Sequence, residues 1–353
     1  RSQVSGHEFP RVDPDADLER MHASGDARWG AELSHNLRKW VGDEADLMFD
    51  GSAGWDYVTS LWFGRRLEEA NFLWYEEPMR EYDLPSYAEL EAIPAPQQMY
   101  GFHRLQQAVA GVDVVFHQAA VVSVPLSVAK PLDSAAVNET GTLEVLEAAR
   151  QAGCRRVVLA SSSAVYGDDP ELPKRETMAF GPLSPYAVQK MTGEYYAGLY
   201  TKLYGLETAC LRYFNVFGPR QDPSSPYSGV ISIFLDRAAA GRAPVIYGDG
   251  EQTRDFVYVR DVVSANLRAA TEDTAAGKAF NIGTGKTITI NHLWQQVAAL
   301  AGIALAPDYE AARHGDILHS VAAIDAARRD LGFSPEISFE EGLAQTYAWY
   351  QRQ

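Results

Sequence analysis

The chain has 353 residues, 46% of them hydrophobic, two cysteines and a formal net charge of −16. This length supports two or three domains with cores of their own, and the acidic balance speaks against a nucleic-acid partner, because a phosphate backbone needs a basic surface. No apolar run reaches the roughly 18 residues of a membrane span and no signal-peptide core is visible. Cys154 and Cys210 lack C-x-x-C partners, so a cytoplasmic, reducing setting without a membrane partner is expected.

The charge is unevenly spread. Residues 1–96 hold 9 Lys+Arg against 20 Asp+Glu, a net of −11 that leaves −5 for the rest, and also Trp29, Trp40, Trp55, Trp62 and Trp74 out of seven tryptophans. The shift ends in the proline-marked run from Glu91 to Gln98, which reads as a boundary between domains at 1–96 and 97–353. Within the front stretch, Ala45 to Met79 (ADLMFDGSAGW…FLWYEEPM) resembles the barrel of enolase-superfamily acid-sugar dehydratases and racemases, over about residues 11–96. The resemblance implies a βαβ fragment in which Asp50 and Glu76 match two Mg²⁺ carboxylate ligands at consecutive strand ends. That family's Lys-x-Lys base, third acidic ligand and later His base are not found in the chain, and Ser52 stands where Asn is common. Two solvated carboxylates, with no working metal site, are the expectation.

From about Met99 onward strands alternate with helices. Val112 to Ala120 (VDVVFHQAA) is a continuous apolar run, as in a parallel strand buried on both faces. Thr140 to Gly153 places Leu143, Val145, Leu146 and Ala149 at helical spacing before a glycine stop. Arg155 to Ser163 (RRVVLASSS) is the next buried strand, with serines at its C-terminal end, where ligands bind in open α/β sheets. A long helix follows from about Pro185 to Tyr204, then a strand from Leu206 to Gly218 that ends in a polar turn. Tyr186 and Lys190 lie four apart near the start of the long helix and so share a face. A Lys⁺ beside a Tyr favours the phenolate, and a serine aimed at the same point can bond a reacting oxygen, so the set reads as a general base for a sugar or alcohol hydroxyl. An ordinary amphipathic helix that happens to carry Tyr and Lys is the bland alternative.

SSSAVYG, SPYAVQK, RYFNVFGPRQ, GDGEQTRDFVYVRDV, FNIGTGK and RHGD, in that order from about residue 100 to the C-terminus, resemble the extended short-chain dehydrogenase/reductases that act on nucleotide sugars, above all UDP-sugar 4-epimerases. The resemblance implies an α/β fold: a Rossmann-type parallel sheet over about 97–218, incomplete at its start, and a small α/β substrate-binding part over about 219–353. It implies NAD as cofactor, a nucleotide-sugar substrate and a homodimer. By the same resemblance Ser162, Tyr186 and Lys190 are catalytic, with Lys190 also on the nicotinamide ribose. His117, Ala119, Ala120, Asn138 and Ser161 line the cofactor. Ser163, Asn215, Arg254, Arg313 and Ser320 meet the substrate, the two arginines clamping its diphosphate. Related 4,6-dehydratases carry Asp-Glu after the catalytic Ser/Thr; here Ser163 and Ala164 stand there, which favours epimerisation.

The family also implies a G-x-x-G-x-x-G turn after a first strand, which lets backbone N–H groups approach a pyrophosphate, and two further strands. The chain contains no such turn. Asp50-Gly51-Ser52-Ala53-Gly54-Trp55 echoes its first two glycines, with Tyr57 at the third place and Glu76 or Glu77 about where a ribose-binding acid falls, so surrogate strands with poor NAD affinity are one expectation. Gly283 to Thr287 (GTGKT) ends like a phosphate loop, but Phe280 occupies the first glycine of that spacing. Two other functions stay open: a non-catalytic, truncated or chimeric sugar-nucleotide binder, and a Mg²⁺-dependent acid-sugar dehydratase.

Overall fold

The structure is a computed structural model that describes residues 48–50, 74–76, 102, 105–221, 229–312 and 317–352. The chain divides into two compact units, Arg1–Arg104 and Leu105–Gln353. In the first, strands β1 (Met48–Asp50) and β2 (Trp74–Glu76) pair in parallel, with Asp50 and Glu76 in register at their ends.

In the second unit, β3 (Val114–His117), helix α1 (Gly141–Ala152), β4 (Arg156–Ser162), helix α2 (Pro185–Tyr204) and β5 (Glu207–Tyr213) follow one another. Short apolar strands that alternate with helices are the pattern of crossover connections and a parallel sheet. The sheet is indeed parallel, in the order β9-β5-β4-β3, with β9 (Lys278–Ile282) joining last. Alternation along the strands covers both faces. Leu159 and Cys210 pack with Ala197 of α2. Val158, Ala209, Leu211 and Phe280 pack instead with Val262, Ala265 and Ala269 of helix α4 (Val259–Thr271), on the other face. Full burial of a side chain such as Phe280 is worth about 1.5–3 kcal/mol.

The run from Val112 to Ala120 differs from its reading as a strand buried on both faces. Only Val114–His117 is strand, it lies at the edge of the described sheet, and Phe116 is 42% exposed. An edge strand has a paired neighbour on one side only, so side chains there lose cover that a central strand such as β4 keeps.

Beyond the sheet, helix α3 (Val230–Ala239), helix α5 (Ile290–Ala301) and helix α6 (Phe339–Tyr350) enclose a second core with β6 (Asn215–Phe217) and β8 (Phe256–Tyr258). Edge-to-face aromatic pairs hold it, Phe217 with Tyr258 at 5.6 Å and Phe234 with Trp294 at 5.7 Å between ring centroids. Strand β7 (Thr253–Arg254) pairs antiparallel with β10 (Ile288–Thr289). No helix among the described residues is long and apolar enough to cross a membrane.

Candidate active site

The start of α2 is fixed before any substrate is considered. Pro185 sits in its first turn, where a missing N–H costs nothing, and Ser184 caps it by accepting from Ala187 N at 3.2 Å. The N–H of Tyr186, another donor without a partner inside the helix, reaches Ser127 Oγ at 3.1 Å. Gln189 Nε2 donates to Ser134 Oγ at 2.8 Å, so the first turn and a half is tied to the segment that carries Ser127 and Ser134.

The Ser162 hydroxyl lies close enough to the Tyr186 phenol to lower its pKa. Ser162 is the last residue of β4 and caps the following turn, accepting from Ala164 N at 3.2 Å. That turn (Ser163–Tyr166) ends at Gly167, whose φ of 61° lies in the left-handed region and where a Cβ would stand 1.8 Å from the carbonyl oxygen of Gly181. Lys190 is buried, donates to the Ala160 carbonyl at 2.8 Å and lies 5.9 Å from the Tyr186 ring centroid. Tyr186, Lys190 and Ser162 are therefore brought together at the C-terminal edge of the sheet.

The electrostatics correct the simple expectation for this pair. Burial pushes the Tyr186 phenol up, and the neighbouring Ser162 hydroxyl only partly opposes it. Burial likewise pulls Lys190 down to about 8. Both charged forms lose hydration where they stand, and that outweighs the pull of a cation on a phenolate. His117, at the end of β3, is pulled down to about 4 by burial and then by the charge of Lys190; its Nε2 lies 3.0 Å from Thr142 Oγ1.

Two of the residues assigned to the cofactor bond protein groups. Ser161 points to the opposite face of β4 from Ser162 and bonds Glu194, which pairs with Arg212. Asn138 spends its side chain on protein: Oδ1 accepts from Val121 N at 2.8 Å, and Nδ2 donates to Val121 O at 2.9 Å and to Gln189 Oε1 at 2.7 Å. It orders the segment just after Ala119 and Ala120 rather than offering a free amide. Sequence reasoning missed Glu194 and Ser127. Glu194 had a signal, since it continues the spacing of Tyr186 and Lys190 by another four residues; Ser127 had none, being 59 residues from its partner.

The residues read as substrate contacts gather around the segment after β5. Tyr213 pairs in register with Ser162, and Asn215 follows two residues on, its N–H donating to Asp255 O at 3.0 Å. Arg254 precedes Asp255 and donates from Nη1 to Thr253 O at 2.9 Å. Ser320 N donates to Thr253 O at 3.2 Å, which brings Ser320 beside Arg254. Arg313 lies outside the described residues.

The arrangement fits the nicotinamide end of a dinucleotide: a phenol and a serine meet at a strand end, with a buried ammonium that spends one of its three N–H groups on Ala160 among the described residues. The pyrophosphate-binding glycine turn has no counterpart in the sequence. A parallel Rossmann-type sheet with a Ser-Tyr-Lys set at its carboxyl edge defines an α/β protein of the nicotinamide-dependent oxidoreductase class.

The comparisons narrow the class. The family model described as "NAD dependent epimerase/dehydratase family" matches residues 99–283, and that described as "Enolase C-terminal domain-like" matches residues 11–125. The chain is 41% identical over 240 residues to the UDP-glucose 4-epimerase of Mycolicibacterium smegmatis, covering 68% of this chain and 76% of that one. Among solved structures it is similar to the UDP-glucose 4-epimerase of Thermotoga maritima with UDP-glucose, at TM-score 0.71 and 32% identity, covering 87% of this chain and 99% of that one. It is also similar to the UDP-glucose 4-epimerase of Thermus thermophilus in complex with NAD, at TM-score 0.66 and 31% identity, with the same coverage. The chain belongs to the NAD dependent epimerase/dehydratase family, whose cofactor is NAD.

Proposed function

We propose that the chain interconverts UDP-sugars epimeric at C4. The observation that carries this reading is the convergence of Tyr186 and Ser162 beside the buried Lys190, which lies 5.9 Å from the Tyr186 ring centroid and donates to Ala160 O. Tyr186, as phenolate, takes the proton of the sugar 4-hydroxyl, and Ser162 holds the phenolic and sugar oxygens in one line. NAD held beside Tyr186 and Lys190 would supply the hydride acceptor, and in the reverse transfer the hydride donor, for C4 of the sugar. Ser163 and Ala164 carry no acid or base for an elimination at C5 and C6, which favours epimerisation over dehydration. Asn215, Arg254, Arg313 and Ser320 are the residues we assign to the nucleotide sugar, and Arg254 would leave the Thr253 carbonyl to meet its diphosphate. The full chain with added NAD and UDP-glucose should form UDP-galactose, followed by the anomeric proton signals. No conversion with retained UDP binding would leave a sugar-nucleotide binder instead.

The missing glycine turn leads us to propose weak NAD affinity. A dissociation constant in the low micromolar range by calorimetry would refute that part. Val188, Tyr195, Leu199 and Leu203 are exposed along one side of α2, and their spacing of seven, four and four residues makes a helical stripe suited to a second copy. We therefore propose a homodimer, to be tested by analytical ultracentrifugation; a monomer at micromolar concentration would exclude it. Cytoplasmic location is proposed with it, supported by two buried free cysteines.

A further inference from the structure

Asp255 is fully buried, and its carboxylate is met by four donors. Oδ1 accepts from Thr284 N and Thr284 Oγ1, each at 2.7 Å, and Oδ2 accepts from Gly285 N at 2.9 Å and Ala322 N at 3.1 Å. Burial raises its pKa, against the pull of these bonds. The turn Gly283-Thr284-Gly285, which ends like a phosphate loop, thus aims its N–H groups at a carboxylate of the protein itself. No side chain fits at its first position: a Cβ on Gly283 would lie 2.7 Å from Asp255 Oδ2 and 2.8 Å from Ala322 Cβ.

Three residues assigned to the substrate hang on Asp255. Arg254 is its chain neighbour. Asn215 N donates to its carbonyl oxygen at 3.0 Å. Ser320 lies two residues before Ala322, whose N–H the carboxylate holds.

We propose that Asp255 is a positioning residue of the nucleotide-sugar site. Its carboxylate holds the turn at Gly283–Gly285 and the segment at Ala322, which carries Ser320, while its main chain, fixed between them, carries Arg254 and holds Asn215, so that the three stand at the spacing that receives the diphosphate and its sugar. The inference rests on the nucleotide-sugar reading above.

Asp255→Asn keeps the shape but turns an N–H₂ toward backbone N–H groups, so donors face donors. UDP titrated calorimetrically into the full chain should bind Asp255→Asn about tenfold more weakly than the unaltered protein. KM for UDP-glucose should rise by a similar factor, with kcat and NAD affinity little changed. Thr284→Val, which removes one donor and leaves the three backbone ones, should weaken UDP binding about two- to fivefold; it tests the same point should Asp255→Asn fail to fold. A lowered Tm with unaltered UDP affinity in both variants overturns the positioning role alone. Absence of UDP binding by the unaltered chain overturns the nucleotide-sugar reading and this inference with it.

Discussion

Arg212 and Glu194 form a buried ion pair, Nη2 to Oε2 at 2.7 Å, between the strand that leads to Asn215 and the helix that carries Tyr186. Glu194 also accepts from Ser161, the neighbour of Ser162, and Arg212 donates to Tyr166 Oη at 2.8 Å, while its guanidinium stacks 4.9 Å from the Phe180 ring centroid. Tyr166 passes the chain on to Asn281 Oδ1 at 2.7 Å, and Asn281 Nδ2 to the carbonyl of Lys174 at 2.8 Å. The ion pair therefore locks the register of α2 against β4 and β5, behind the catalytic set. Arg212→Met leaves Glu194 buried without its cation and should cost about 3–5 kcal/mol in denaturant unfolding. The double variant Arg212→Met with Glu194→Gln should recover part of that loss, since no unpaired charge remains.

Tyr186→Phe should lower turnover by about 10²–10⁴-fold, as removal of a general base does. The pH profile carries more information. The base is active as phenolate, so kcat/KM should climb with pH through the phenol's pKa, which burial holds high and the neighbouring Ser162 hydroxyl brings down. Ser162→Ala removes only the lowering contribution, so the climbing limb should move to higher pH. A limb that stays in place, or moves to lower pH, would count against Ser162 as part of the base.

Lys190 and His117 make stability depend on pH in two windows. Lys190 falls from 10.5 to about 8 on folding and His117 from 6.5 to about 4. In each window the unfolded chain binds the proton that the folded chain refuses, so stability rises with pH. The contribution of Lys190 is complete above about 10.5 and lost by about 8; that of His117 is complete above about 6.5 and lost by about 4. Each is worth on the order of 3 kcal/mol. Denaturant unfolding against pH should show the upper rise vanish in Lys190→Met and the lower one in His117→Gln.

Ser320 is buried beside Arg254, and we propose that it faces C2 of the sugar, where its small side chain would leave room for a bulky substituent. Ser320→Tyr should depress turnover of UDP-N-acetylglucosamine while sparing UDP-glucose. Equal turnover of the two by the variant would remove Ser320 from the specificity reading.

The sequence by itself determined the strand–helix alternation, because apolar runs and caps are local. Pro185, Ser184 and the glycine after Tyr204 bound α2 at the residues expected. It also determined the pairing of Tyr186 with Lys190, since a four-residue spacing on a helix is a geometric statement. What it could not determine is which side of a strand end a residue serves. Ser161 and Ser162 are neighbours in a serine run, yet pleating sends one to Glu194 and leaves the other to Tyr186. Nor could it tell that burial would outweigh the lysine in setting the phenol, because desolvation depends on everything packed around a group. Asp255 is the clearest case: a lone aspartate within the GDGEQTRDFVYVRDV run becomes the anchor of the GTG turn once folding brings Thr284 and Ala322, 29 and 67 residues away, onto one carboxylate. Hydrogen bonds across such distances obey no sequence period, and only the assembled sheet brings their partners together.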